Sequence, residues 1–251
     1  MRSVDDWKFY CWARACRKRL SLSSYAFFAG TRLRFNEVLL LAKLWLDKVS
    51  VDSAISFTGH SQHTVVSFWR HFRQLVASTL DEDDSTIGGH NITVQVDESK
   101  LGRRKYNRGH RVEGVWVIVG VELTEQRRVF IVPVENRDSN TIREIVNLYV
   151  LPGSIIQTDC WKGYQWLDKD TDSIHQTVNH SVEFKNSETG VHTNVVEGTN
   201  SAIKRRISVR SRVKNGINGH LDEFIWRRKH ENEDLWNCFI LALKDIHYDV
   251  E

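Results

Sequence analysis

The chain has 251 residues, with 35 Lys and Arg against 32 Asp and Glu, a formal charge of +3. Apolar residues at 41% and charged ones at 27% are ordinary for a globular protein, and only two prolines argue against a long Pro-rich or disordered segment. No apolar run nears the roughly 18 residues of a bilayer span, and the start, Met1 to Lys8, lacks the apolar stretch of a secretory signal. The expected setting is therefore intracellular (the nucleus, in a eukaryotic host), without a membrane partner. Four cysteines are too few for a disulfide framework. Cys11 and Cys16 have no second close pair, so they do not make up a complete zinc site.

Charge is near balance overall but uneven along the chain. Residues 8–34 hold seven basic residues and no acid. From Val38 to Leu46, apolar residues recur at helical steps. Ser50 is placed to cap a short helix that ends before Gly59, and Ser61 to cap a third helix with Val65, Trp69, Phe72 and Val76 on one face. A short helix, a glycine turn and a second helix form the helix-turn-helix pattern, with Gln62, His63 and Thr64 facing a DNA groove. A plain helical bundle fits that pattern equally well. The acidic run Asp81–Asp84, followed by Gly88-Gly89, is expected to be a linker.

Beyond it the period changes. Ile92, Val94 and Val96 alternate with Thr93, Gln95 and Asp97, which predicts a strand ending at Asp97 with an open polar face. Residues 100–111 form a second acid-free basic block: Lys100, Arg103, Arg104, Lys105, Arg108 and Arg111. Val115–Val121 is expected as a buried strand and Val129–Val134 as an edge strand or strand end because of Pro133. An amphipathic helix from Ser139, a strand ending at Asp159, a short helix over 161–167 and a strand over 175–180 follow. Thr193 or Asn194 is expected to cap a helix running to about Ile207, with further helices over 221–228 and 235–246. The third basic block, residues 198–221, includes Lys204 and Arg205. Three such blocks suit a polyanion. Three adjacent strands followed by alternating helices and strands predict a mixed sheet with helices on it.

Asp97, Asp159 and Glu197 are the acids this arrangement can gather, if the first and fourth strands are neighbours. Three crowded carboxylates repel, and a divalent cation relieves them; oxygen ligands favour Mg²⁺ or Mn²⁺ over zinc. Glu98, Glu183 and Glu188 are weaker rivals by parity or loop setting. On spacing alone, turn-forming aspartates and a glutamate favoured by the helix dipole explain the three acids better.

Specific residues shift that balance. Val94-Gln-Val-Asp97-Glu-Ser-Lys100, Thr158-Asp159-Cys-Trp161-Lys-Gly163-Tyr164 and His192-Thr-Asn194-Val-Val-Glu197-Gly198 resemble, in order, the three catalytic segments of Merlin-type and bacterial insertion-sequence (ISXO-type) DDE transposases. Leu221-Asp-Glu-Phe224-Ile-Trp-Arg227 is similar to their closing helix. The resemblance implies an α/β, RNase H-like five-stranded sheet over 90–230, after a zinc-ribbon remnant (1–34), a helix-turn-helix region (35–80) and the linker (81–89), with a C-terminal helix over 231–251. It implies metal ligation by Asp97, Asp159 and Glu197, double-stranded DNA (the element's terminal repeats and target DNA) as partner, and two Mg²⁺ or Mn²⁺ ions. DNA-end hydrolysis would be followed by 3′-OH strand transfer, carried out by at least a dimer. Lys100, Arg103, Arg104, Lys105, Arg108, Lys204 and Arg205 would hold phosphates. The alternative is a transposase-derived DNA-binding protein without chemistry. Two departures stand out: the ribbon's cysteine pairs are incomplete, and Asn200 stands where the family usually has an aromatic residue.

Overall fold

The computed structural model describes residues 8–10, 16, 19–21, 27–28, 31–102, 114–169, 173–178 and 192–245. Of the sequence-derived candidates, Cys11, Arg103, Arg104, Lys105, Arg108, Arg111, Glu183 and Glu188 lie outside these residues. The chain divides into two compact units, one formed by 1–79 with 230–251 and the other by 80–229.

In the first unit, strands β1 (Lys8–Tyr10) and β2 (Arg19–Ser21) pair antiparallel. Helices α1 (Phe35–Leu46), α2 (Val51–Thr58) and α3 (Gln62–Ala77) follow. The expected punctuation is all present. Ser50 Oγ accepts from Ser53 N–H at 3.1 Å and Ser61 Oγ from Thr64 N–H at 3.2 Å. Between the two helices Gly59 closes α2 at φ +71°, a left-handed geometry that costs glycine little. Leu41, Trp45, Phe72 and Leu75 are buried, each placed inward by the three- and four-residue spacing of its helix. Phe72 packs 5.8 Å from Trp45 and 5.4 Å from Phe239 on helix α8 (Leu235–Asp245), ring centre to ring centre.

The second unit opens with a single turn, α4 (Glu82–Ser85), and a short strand, β3 (Ile87–Gly88). The stretch expected as linker is thus structured. Asp81 and Asp84 form a reciprocal capping box, and Lys229 reaches Asp84 at 2.7 Å. Gly88 sits at φ +85° with its N–H on Glu122 Oε2, and a Cβ there would lie 2.3 Å from Ser154 Oγ. Only glycine fits so close an approach.

The central sheet comprises β4 (Thr93–Leu101), β5 (Val115–Glu122), β6 (Val129–Val134), β8 (Ile155–Asp159) and β9 (Ile174–Val178). Their spatial order is β6-β5-β4-β8-β9, with β4, β5 and β6 antiparallel and β4, β8 and β9 parallel. This is the RNase H-like arrangement, and Pro133 lies on an edge strand as expected. The strand β7 (Val150–Leu151) pairs with β3 apart from the sheet. Helix α5 (Ser139–Tyr149) and the 3-10 helix Lys162–Lys169 cover one face, burying Ile142, Val146, Tyr164 and Leu167 against Val94, Val96 and Ile118. Helices α6 (Asn194–Arg206) and α7 (Ile217–Lys229) cover the other, burying Val196, Ile203, Leu221 and Phe224 against Val117, Val119 and Ile131. Sandwiching explains why β5 is an unbroken apolar run.

Two expectations about the first sheet strand are corrected. It does not end at Asp97: β5 pairs with β4 through Leu101, and that antiparallel ladder carries the strand four residues further. Its Asp97 face is not open either. Gln95 on that face is fully buried, because the N-terminus of α6 lies over it.

Candidate active site

The ladder between β4 and β8 sets the site. Thr93 pairs with Ile155, Val94 with Ile156 and Gln95 with Gln157, and the pairing stops there. Asp97 and Asp159 are two residues further along each strand, so that register makes them opposite numbers where the strands part. A crevice at the carboxyl ends of parallel strands is where ligands collect in such sheets. Both aspartates share the parity of Gln95 and Gln157 and therefore the face covered by α6.

Helix α6 brings the third acid. Glu197 lies in its first turn and accepts from Thr193 Oγ1 at 2.8 Å. Asn200, one turn on, is buried and donates from Nδ2 to Asp97 Oδ2 at 2.7 Å. Trp161 N–H donates to Asp159 Oδ1 at 3.0 Å. Burial first, then the negative charges of Asp159 and Glu197, push the Asp97 carboxyl up to about 6. The three acids that the sequence singles out thus converge electrostatically. No ion pair among the described residues reaches Asp97 or Asp159. Asn200 Oδ1, beside Asp97, is buried and has no hydrogen-bond partner among the described residues. A set of crowded carboxylate and amide oxygen donors fits a hard divalent cation.

The residue that sequence reading missed is Gln95. Its Oε1 accepts from the backbone N–H of Val195 at 3.0 Å and of Val196 at 3.2 Å, both in the first turn of α6. Its Nε2 donates to Gln157 Oε1 at 3.2 Å and to the His192 carbonyl. The cap expected from Thr193 or Asn194 therefore comes from a strand 100 residues away, and the Thr193 hydroxyl turns to Glu197 instead. The available signal was a glutamine at Asp97 parity, two residues before it on the same strand.

The other candidates are spread out. Lys100 has Glu98 parity, and its ammonium lies 5.5 Å over the Trp116 ring, on the sheet face opposite Asp97. Lys204 and Arg205 are exposed on α6, with Lys204 seven residues after Glu197 on the same helix face. In the other unit Gln62 and His63 are exposed at the start of α3, whereas Thr64 is half-buried with its hydroxyl 3.0 Å from Ser61 Oγ. Glu98 points away from Asp97: burial raises its carboxyl to about 7, with Tyr164 and Arg137 opposing and the two aspartates adding to the rise.

Residues 76–229, more than half of the chain, match the ISXO2-like transposase domain. The chain belongs to the ISXO2-like transposase family. The match spans the whole central sheet, both covering layers and all three acids of the site. No curated protein matches the chain. Among solved structures, it is similar to the Mos1 strand transfer complex at 13% identity, with 88% of this chain and 81% of that one covered and a TM-score of 0.29. A pre-cleavage Mos1 transpososome gives 12% identity, 88% and 82% coverage and a TM-score of 0.30. The family assignment of this ISXO2-like transposase rests on the domain match, and its sheet order stands on the strand pairing itself.

The raised Asp97 carboxyl has a measurable consequence. An unfolded aspartate titrates near 3.9, below the folded value of about 6. The folded state therefore binds more protons between those values, and stability falls as pH rises through roughly 4 to 6. Above that window, keeping Asp97 ionised without a cation costs about 3 kcal/mol. In EDTA, Asp97→Asn is expected to match wild type near pH 4 and exceed it by about that amount at pH 7.5. Urea denaturation at both pH values measures the difference, and parallel stability profiles would contradict it.

Proposed function

We propose that this transposase hydrolyses a DNA phosphodiester at the ends of its element and joins the freed 3′-OH to target DNA. Asp97, Asp159 and Glu197 would hold Mg²⁺ or Mn²⁺, with two ions suiting the chemistry. One observation carries this reading: the β4–β8 register sets Asp97 opposite Asp159 at the point where the strands part, under the acid-bearing first turn of α6. When bound, divalent cations supply charge neutralisation for the attacking and leaving oxygens of an in-line displacement.

The protein's own residues position the participants. Gln95 fixes the start of α6, and with it Glu197, against the sheet. Asn200 orients the Asp97 carboxylate by donating to Oδ2, and the Trp161 amide does the same for Asp159. No side-chain nucleophile is required, because water and then the DNA hydroxyl attack in turn. Lys204 and Arg205, exposed beyond Glu197, are suited to the phosphate backbone, a contact that gives salt-dependent and sequence-independent affinity. Gln62 and His63 stand at the exposed start of α3, the position from which a recognition helix reads base edges. Recognition of duplex ends by α3 and assembly of at least a dimer on paired ends complete the proposal.

The test is strand transfer in vitro with the element's own terminal repeats and Mg²⁺ or Mn²⁺. The expected result is a nicked end followed by a joined product, both suppressed by EDTA. Folded protein that binds these ends yet yields neither product in either metal would refute the reading.

A further inference from the structure

We propose that Arg137 is a positioning residue that holds Asp97 and Asp159 at ion-binding separation from the far side of the sheet. This rests on the metal-binding reading above. The β4–β8 ladder stops at Gln95 and Gln157, so paired backbone does not set the gap between the two aspartates. On their own face, α6 braces them through Gln95 and Asn200. On the opposite face the brace is Arg137.

Arg137 lies in the short connection between β6 and α5, immediately before Asp138, which caps α5 by accepting from the N–H groups of Asn140 and Thr141. Its guanidinium carbon is 4.3 Å from the Trp116 ring centre and 5.2 Å from that of Trp161. A guanidinium nitrogen is 3.9 Å from Glu98 Oε2. Glu98 is the neighbour of Asp97 on β4, and Trp161 is the residue whose amide holds Asp159. One cation therefore touches both the chain neighbour of Asp97 and the residue whose amide donates to Asp159. The Trp161 ring is itself held against Gly163, where a Cβ would lie 1.7 Å from a ring carbon. A planar guanidinium can stack on indoles and pair with a carboxylate together, which a compact ammonium cannot. Two facing carboxylates repel, and a lateral clamp that resists their separation raises affinity for a shared cation. Partners hydrogen-bonded directly to metal ligands change metal affinity by about 10- to 100-fold when removed, and a contact one residue further out falls at the lower end of that range.

The test measures Mn²⁺ binding by electron paramagnetic resonance on the full chain, without DNA. Wild type is compared with Asp97→Asn, Arg137→Gln and Arg137→Lys. Both Arg137 variants are expected to weaken Mn²⁺ binding by about tenfold. Their circular dichroism should match wild type, and so should duplex binding in EDTA, within about twofold. Trp116→Phe, which shrinks one stacking partner, is expected to weaken binding by about threefold, and serves if the Arg137 variants do not fold. Unchanged Mn²⁺ affinity in folded Arg137 variants, while wild-type binding depends on Asp97, overturns the role. A loss confined to metal-free duplex binding also overturns it and marks Arg137 as a phosphate contact. Wild-type Mn²⁺ binding that is indifferent to Asp97→Asn removes the metal-binding reading itself, and this inference with it.

Discussion

Alanine at Asp97, Asp159 or Glu197 is expected to lower end cleavage and strand transfer about a thousandfold or more. The three carboxylates act as one ion-holding unit, so losing a second should add little to losing the first. The substitutions differ in structural consequence, however. Asp97→Ala strips the acceptor from the buried Asn200 amide, and Glu197→Ala releases the Thr193 hydroxyl. Asp97→Asn and Glu197→Gln preserve an acceptor at each place and are the cleaner probes. Products resolved on denaturing gels, with duplex binding as a check on integrity, decide the matter. A variant that cleaves at the wild-type rate would remove that residue from the site.

Gln95→Leu should be the most damaging single change to the catalytic unit that leaves the acids in place. It removes one acceptor shared by two helix N–H groups, the buried one of Val196 and the half-buried one of Val195, and one donor to Gln157 and the His192 carbonyl. Buried polar groups left without partners cost about 1–3 kcal/mol each, so a loss of roughly 2–4 kcal/mol is expected after local relaxation. Because α6 carries Glu197, activity should fall further than stability alone explains. Gln95→Glu keeps an acceptor for the helix and should retain more stability than Gln95→Leu at low pH, where the carboxyl is neutral. Urea titration reads the stability and end cleavage reads the activity. A Gln95→Leu protein as stable as wild type would show that the first turn of α6 is held by other means.

Local causes left local marks, and those were readable. Ser50, Gly59 and Ser61 announce the ends of α2 and the start of α3 because each cap is satisfied within three or four residues. Alternation in residues 92–96 and the apolar run of β5 mark strands because burial of one or both faces imposes the period. The acids were identifiable as candidates because their surrounding segments resemble those of a transposase family. Their convergence was not identifiable from spacing, since a strand-end aspartate and a first-turn glutamate have ordinary local explanations.

What tertiary structure alone decided depends on partners far apart in the chain. The chain by itself determined where β4 begins, but β5 determined how far it runs. It determined that a helix follows Thr193, while Gln95 on a distant strand supplies the cap. The β4–β8 register turned two separate aspartates into a facing pair, and Arg137 meets the neighbours of both only once β6, β5, β4 and β8 lie side by side. Capping and alternation are energies of neighbouring residues, so the sequence displays them directly. Register and long-range hydrogen bonds are set when whole elements bury their faces together, and no short stretch of sequence contains both partners.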